Sequence, residues 1–161
     1  EQLGADLFAR YMDDYSVFGG NKRKLHKIID AVEVYLNNNL GLTLKGNWQV
    51  FRFEYTDREG NVRGRDLDFM GYRFHNNRVT LRKKIMFRMT RKARRVGNKE
   101  KPTLYDCKQM LAALGYIKQS DVYGMYLKYI KPYVSFQYMK RRISRYDKAQ
   151  YRKEHIALCG S

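Results

Sequence analysis

Cysteine is scarce, with only Cys107 and Cys159 in 161 residues, far apart and without paired metal-ligand spacing. That excludes a disulfide framework and reads as free thiols in a reducing, cytoplasmic compartment. His26, His75 and His155 are scattered along the chain, which argues against a His-based metal cluster. No segment approaches the ~18 consecutive apolar residues that span a bilayer, so no membrane partner is expected. No signal-peptide pattern opens the chain. It starts at Glu1, almost directly in an expected strand, as the cut end of a longer protein would. Acids are rare after residue 70: residues 71–161 hold 5 Asp/Glu against 23 Lys/Arg.

That last shortage defines the chain. Residues 1–70 carry 10 Lys/Arg and 11 Asp/Glu, so the net charge of +17 lies wholly in the second half. A near-neutral half joined to a strongly basic one implies a polyanionic partner that docks on the basic half. The hydrophobic fraction of 43% suits a folded chain, with one core or two small ones. Tyrosine is abundant, at 14 residues, and offers a packing ring with a hydroxyl for cores and nucleic-acid surfaces alike.

Residues 7–12 and 15–19 are short apolar runs with Asp13-Asp14 between them as a two-residue turn, a hairpin pattern. From Lys22 to about Asn39, Leu25, Ile28, Ile29, Val32 and Leu36 recur at helical spacing, and Gly41 is a stop. Strands are expected at Leu42–Lys45 and at Trp48–Tyr55, where Phe51, Phe53 and Tyr55 alternate with polar residues. Residues 57–61 are turn chemistry. Residues 67–74 and 79–81 read as a further hairpin around His75-Asn76-Asn77. Beyond Lys83 the pattern is helical. Residues 78–101 hold eleven Lys/Arg and one acid beside a narrow stripe of Ile85, Met86, Met89 and Ala93. Gly97 and Pro102 bracket a linker. Thr103 with Asp106 forms a weak capping box for a helix through Leu114. Another helix starts at Ser120 and ends before Pro132, and a last basic one covers roughly 135–148.

Adjacent acids at a hairpin tip are the candidate chemistry. Side chains alternate along extended backbone, so one carboxylate faces a groove and the other its flank. Like charges this close repel unless a cation lies between them, and Mg²⁺ accepts one or two carboxylates plus substrate phosphates. A bare Asp-Asp is also ordinary turn chemistry. Its context here is more specific. Arg10-Tyr11-Met12-Asp13-Asp14-Tyr15-Ser16-Val17-Phe18-Gly19 resembles the catalytic hairpin of reverse transcriptases. Gly41-Leu42-Thr43-Leu44-Lys45 is similar to that family's next block, and Leu67-Asp68-Phe69-Met70-Gly71-Tyr72-Arg73-Phe74 resembles its primer-grip hairpin. Leu114-Gly115-Tyr116-Ile117-Lys118-Gln119, with the Tyr-rich stretch after it, looks like the thumb of bacterial group II intron-like and diversity-generating-retroelement-like enzymes. The resemblance runs from about residue 7 to about residue 150.

That resemblance implies an α+β fold: a partial palm over residues 1–82 and an all-helical basic thumb over 83–161. It implies RNA-directed DNA synthesis on a primer 3′ end from deoxynucleoside triphosphates, with two Mg²⁺ ions (Mn²⁺ as substitute) and an RNA template with a DNA primer as partners. Asp13 would be the principal metal ligand and Asp14 a supporting one, while Tyr11 and Met12 would lie under the primer end. Lys45 would protonate the pyrophosphate leaving group; an exposed strand-end lysine is the plain alternative. Gly71, with Tyr72 beside it, would let the backbone approach the primer, or would serve a bulge. Arg82, Lys83, Lys84, Arg88, Arg91, Lys92, Arg94 and Arg95 would form one phosphate-binding face, and Lys140, Arg141, Arg142 and Arg145 a second. Tyr123, Tyr126, Tyr129 and Tyr133 suggest a packed seam more than a base-stacking row.

One departure from the family's pattern matters more than any other. The family supplies a further Asp from an upstream strand, and Asp6 lies on the incoming strand of the same hairpin. The fingers are missing as well, so an N-terminal fingers and palm portion is an expected partner. Two other readings remain open: a non-catalytic nucleic-acid-binding module derived from a polymerase, and an RNA-dependent RNA polymerase.

Overall fold

The computed structural model describes residues 5–159, which divide along the chain into two compact units between Met70 and Gly71. Among these residues, five helices and small antiparallel sheets make an α+β fold. No helix among them is long and apolar enough to cross a membrane.

The first unit opens with the hairpin that the apolar runs predict. Strand β1 (Leu7–Tyr11) pairs antiparallel with β2 (Asp14–Phe18), from Leu7↔Phe18 at the base to Tyr11↔Asp14 at the tip. The two turn residues are Met12 and Asp13, one position earlier than the expected Asp13-Asp14, because Asp14 already belongs to the ladder. Asp6 closes the base. Its backbone N–H donates to the Phe18 carbonyl and its carboxylate accepts from the Gly20 N–H, both at 3.0 Å.

Helix α1 (Lys22–Leu40) starts where the Asn21 side chain accepts from the N–H groups of Arg23 and Lys24, satisfying two donors the helix itself leaves unpaired. It ends at Gly41, whose φ of 63° suits glycine and whose N–H donates to the Leu36 carbonyl. Ile28 is the one buried hydrophobic residue of this unit among the described residues.

The strands expected at Leu42–Lys45 and Trp48–Tyr55 do not form. The chain is irregular until β3 (Tyr55–Thr56), which pairs with β4 (Val62–Arg63), and Phe53 makes only an isolated bridge to Arg65. The alternating aromatics find rings and guanidinium groups instead of a sheet partner. Phe53 meets Phe18 edge-on at 6.4 Å, Arg65 lies over Phe51 at 4.2 Å, and Arg52 lies over Tyr55 at 3.9 Å. Strand β5 (Leu67–Phe69) is the last element of the unit.

The second unit begins with β6 (Tyr72–Phe74) and β7 (Val79–Leu81), an antiparallel pair around residues 75–78. Then come α2 (Lys83–Gly97), α3 (Leu104–Lys118), α4 (Tyr123–Tyr129) and α5 (Phe136–Cys159). The hairpin of β6 and β7 therefore belongs with the helices. Thr103 and Asp106 form the full capping box at the start of α3. This helix runs four residues past the expected Leu114, while α4 starts at Tyr123 instead of Ser120, whose hydroxyl donates to the Tyr116 carbonyl at 2.6 Å. Helix α5 extends well beyond Lys148, since 149–159 contains neither Gly nor Pro.

Among the described residues, the main buried cluster lies in this unit. Leu81, Met89, Ala93, Val96, Cys107, Met110, Ile117, Val122, Ile130, Val134, Phe136 and Met139 are buried together. Each large side chain buried there contributes roughly 1.5–3 kcal/mol. Burial pushes the Cys107 thiol up, and it is free. The side chain of Cys159 lies outside the described residues.

Candidate functional site

Tyr11, Met12, Asp13 and Asp14 are all exposed at the hairpin tip. Residues opposite each other in an antiparallel ladder share a face, so Tyr11 and Asp14 project to the same side while Asp13 stands in the turn. Met12 has a φ of 51°, in the left-handed region that side chains disfavour. Such a residue costs on the order of 1–3 kcal/mol, and strain of this kind concentrates at functional sites. The Arg10 guanidinium donates from Nε to the Met12 carbonyl at 3.1 Å and pins the turn.

Neither the Asp13 nor the Asp14 carboxylate has an ion-pair or hydrogen-bond partner among the described residues. Two exposed, unpartnered carboxylates are a donor set that suits a hard divalent cation. They would hold part of its shell, since among the described residues no three His, Cys, Asp or Glu converge. Asp6 is engaged at the hairpin base, with roughly 17 Å of extended strand between it and Tyr11. Lys45 is exposed in the irregular stretch, where the strand end expected to carry it is absent.

Gly71 has a φ of 88° and is buried; a Cβ there would come within 2.6 Å of Ile85 Cδ1. Tyr72 packs its ring 5.4 Å from Tyr116 and donates its hydroxyl to Gln119 Oε1 at 3.0 Å, and burial pushes that hydroxyl's pKa up. Asp121 accepts from the Val79 N–H at 2.7 Å and fastens the same hairpin to the α3–α4 junction.

The residues of the first basic face differ in their surroundings. Arg82 precedes α2 without a side-chain cap bond. Lys83, Lys84, Arg88, Arg91, Lys92 and Arg95 border an open groove of about 950 Å³ between α2 and α3, floored by apolar side chains. Lys92 is committed elsewhere, 3.2 Å from the buried carboxylate of Asp106. Arg94 lies over the Tyr133 ring at 5.7 Å. In the second face, Lys140, Arg141 and Arg145 are exposed, whereas Arg142 donates to the Tyr138 hydroxyl at 3.2 Å.

The tyrosine seam is not formed as expected. Tyr126 alone of the four packs on the core, stacked on Phe136 at 5.8 Å, and Tyr123 meets Tyr126 ring to ring at 5.8 Å, while Tyr123, Tyr129 and Tyr133 are exposed. Helix α4 is only seven residues long, so it cannot carry all four on one stripe.

No family model, curated protein or solved structure matches this chain.

Sequence reasoning missed two features. One is the groove itself, signalled by Phe87, a large apolar residue set among cations and off the helix's apolar stripe. The other is Asp106, read as a cap and found as the anion of a buried cluster. It lies 2.6 Å from Lys99 Nζ and accepts from the Thr103 hydroxyl at 2.8 Å.

Proposed function

We propose that this chain is the palm-hairpin and thumb portion of a reverse transcriptase. What supports the reading above all is the exposed Tyr11-Met12-Asp13-Asp14 tip, with two unpartnered carboxylates beside a strained Met12. The net charge of +18 on residues 71–161 supplies the second half of the argument, a surface for phosphates. In this reading the palm is the first unit and the thumb the second, with the hairpin of β6 and β7 riding on the thumb.

Asp13 and Asp14 would hold Mg²⁺, which when bound neutralises charge developing on the transferred phosphoryl group and its leaving oxygen. The hairpin's part is to hold two carboxylates in the open, on a turn fixed by Arg10. Tyr11, on the same face as Asp14, would bear on the primer end. The primer-approach role expected of Gly71 is not part of this reading, since Gly71 is buried and its open side is taken by Ile85. The remaining acid and the fingers would come from a partner portion outside this chain. The reaction would be addition of deoxynucleotides to a DNA primer on an RNA template.

A non-catalytic binding module is the second reading, favoured by the lack of a converging third acid among the described residues. Paramagnetic broadening by Mn²⁺ separates the two. Backbone amides of residues 11–15 should broaden at micromolar to millimolar Mn²⁺, and Asp13→Asn should shift the midpoint several-fold upward. Uniform broadening across all surface acids, unchanged by that substitution, would favour the binding module.

A further inference from the structure

We infer that the groove between α2 and α3 binds unpaired nucleotides, stacking a base on Phe87. This deepens the reading of the second unit as a nucleic-acid surface and rests on it.

Lys84, Arg88, Arg91 and Arg95 fall at spacings of four, three and four along α2, one face of a helix. They run for about 16 Å, at ~1.5 Å per residue. None has an ion-pair or hydrogen-bond partner among the described residues. A continuous row of free cations suits a linear polyanion with a charge on every unit. An acidic helix presents its carboxylates on only part of each turn.

The groove floor selects within polyanions. Phe87 is 67% exposed and has no ring or cation partner among the described residues. Tyr116, 36% exposed, adds a second ring on the α3 side. Duplex hides its base faces inside its own stack and offers the groove only phosphates. Unpaired bases expose π-faces that gain from aromatic side chains and from the planar guanidinium groups beside them. A cationic row next to an unoccupied ring therefore matches a single strand better than a duplex.

The test uses the full chain, a fluorescein-labelled 12-nucleotide oligo-dT, and a labelled 12-base-pair duplex, read by anisotropy at one salt concentration. Phe87→Ala should weaken oligo-dT binding roughly ten-fold, the loss of one base stack, and change duplex binding less than two-fold. Phe87→Leu keeps apolar bulk without a π-face and should resemble Ala. Because Phe87 is exposed, both variants should keep the wild-type melting temperature. Three results would overturn the inference: unchanged oligo-dT binding in both variants, equal losses on both probes, or no oligo-dT binding by wild type. Duplex binding in that last case would leave the broader nucleic-acid reading standing, and binding of neither probe would remove both. Binding of a labelled acidic amphipathic peptide, with no oligo-dT binding, would assign the groove to a protein instead.

Discussion

Asp106 shows how much a single side chain organises in the second unit. It is 2% exposed, yet its carboxylate meets Lys99 and Lys92 and closes the α3 cap through Thr103. Lys99 above all, then the Thr103 and Lys92 bonds, hold its pKa well below the usual carboxylate range, against the opposing effect of burial. A depressed folded-state value means stability that is present above the unfolded value, near 3.9, and lost as pH falls towards the folded one. Asp106→Asn should therefore cost about 2–3 kcal/mol at pH 7, as it leaves two lysines without their anion. Both lysines are partly exposed, which keeps the cost below that of a fully buried pair. Urea unfolding followed by circular dichroism at pH 7 and pH 3 checks this. Wild type should lose part of its advantage over the variant at pH 3, and equal stabilities at pH 7 would refute the account. Thr103 and Asp106 were legible from sequence as a cap. Their lysine partners were not, because a cap is local whereas Lys92 comes from another helix.

At the scale of elements, periodicity was reliable where one face packs and unreliable where it does not. Helix α1 appears between Asn21 and Gly41 because cap chemistry is local and residue-specific. Phe51, Phe53 and Tyr55 alternate as a strand would, but alternation marks which face is apolar and says nothing of what lies beside it. Cations and a distant ring serve that face here. The tip of the first hairpin was legible in kind and shifted by one residue, since Asp14 pairs with Tyr11. Helix α2 was legible as basic, yet sequence alone could not divide its cations into a free row and the structurally committed Lys92. That division makes a prediction. Replacing Arg88, Arg91 and Arg95 together with Gln should weaken binding to duplexes of any sequence. The slope of log affinity against log salt should flatten by about 2–3 units, one counterion per lost contact. The substituted side chains are exposed, so the melting temperature should hold. Anisotropy titrations across a salt series would show it, and a variant slope equal to wild type would mean the row is only solvated.

The whole molecule is two unlike units joined in one chain. The first is near-neutral, holds the paired carboxylates, and buries a single hydrophobic residue among those described. The second carries the entire excess of positive charge and the main buried cluster of the described residues. Binding and chemistry should separate accordingly. In the proposed function, binding rests on exposed cations of the second unit, Lys84, Arg88, Arg91 and Arg95 among them. If its helices engage about five or six phosphates, duplex affinity should fall with a slope of roughly −5 in log salt. Synthesis needs acids on both sides of a metal pair. Asp13 and Asp14 stand without a third acid near them among the described residues, while Asp6 is held at the far end of the hairpin by Gly20. Under the proposed function, the 161-residue chain should bind primer–template and extend it by no nucleotide, in Mg²⁺ or Mn²⁺. Supplying the proposed fingers and palm portion in trans or in one chain should restore extension, and Asp13→Asn should abolish it again with primer–template binding within about two-fold of wild type. A gel-based primer-extension assay reads all three. Extension by the chain alone would show that its own acids suffice. Restored extension indifferent to Asp13→Asn would remove the hairpin tip from the chemistry.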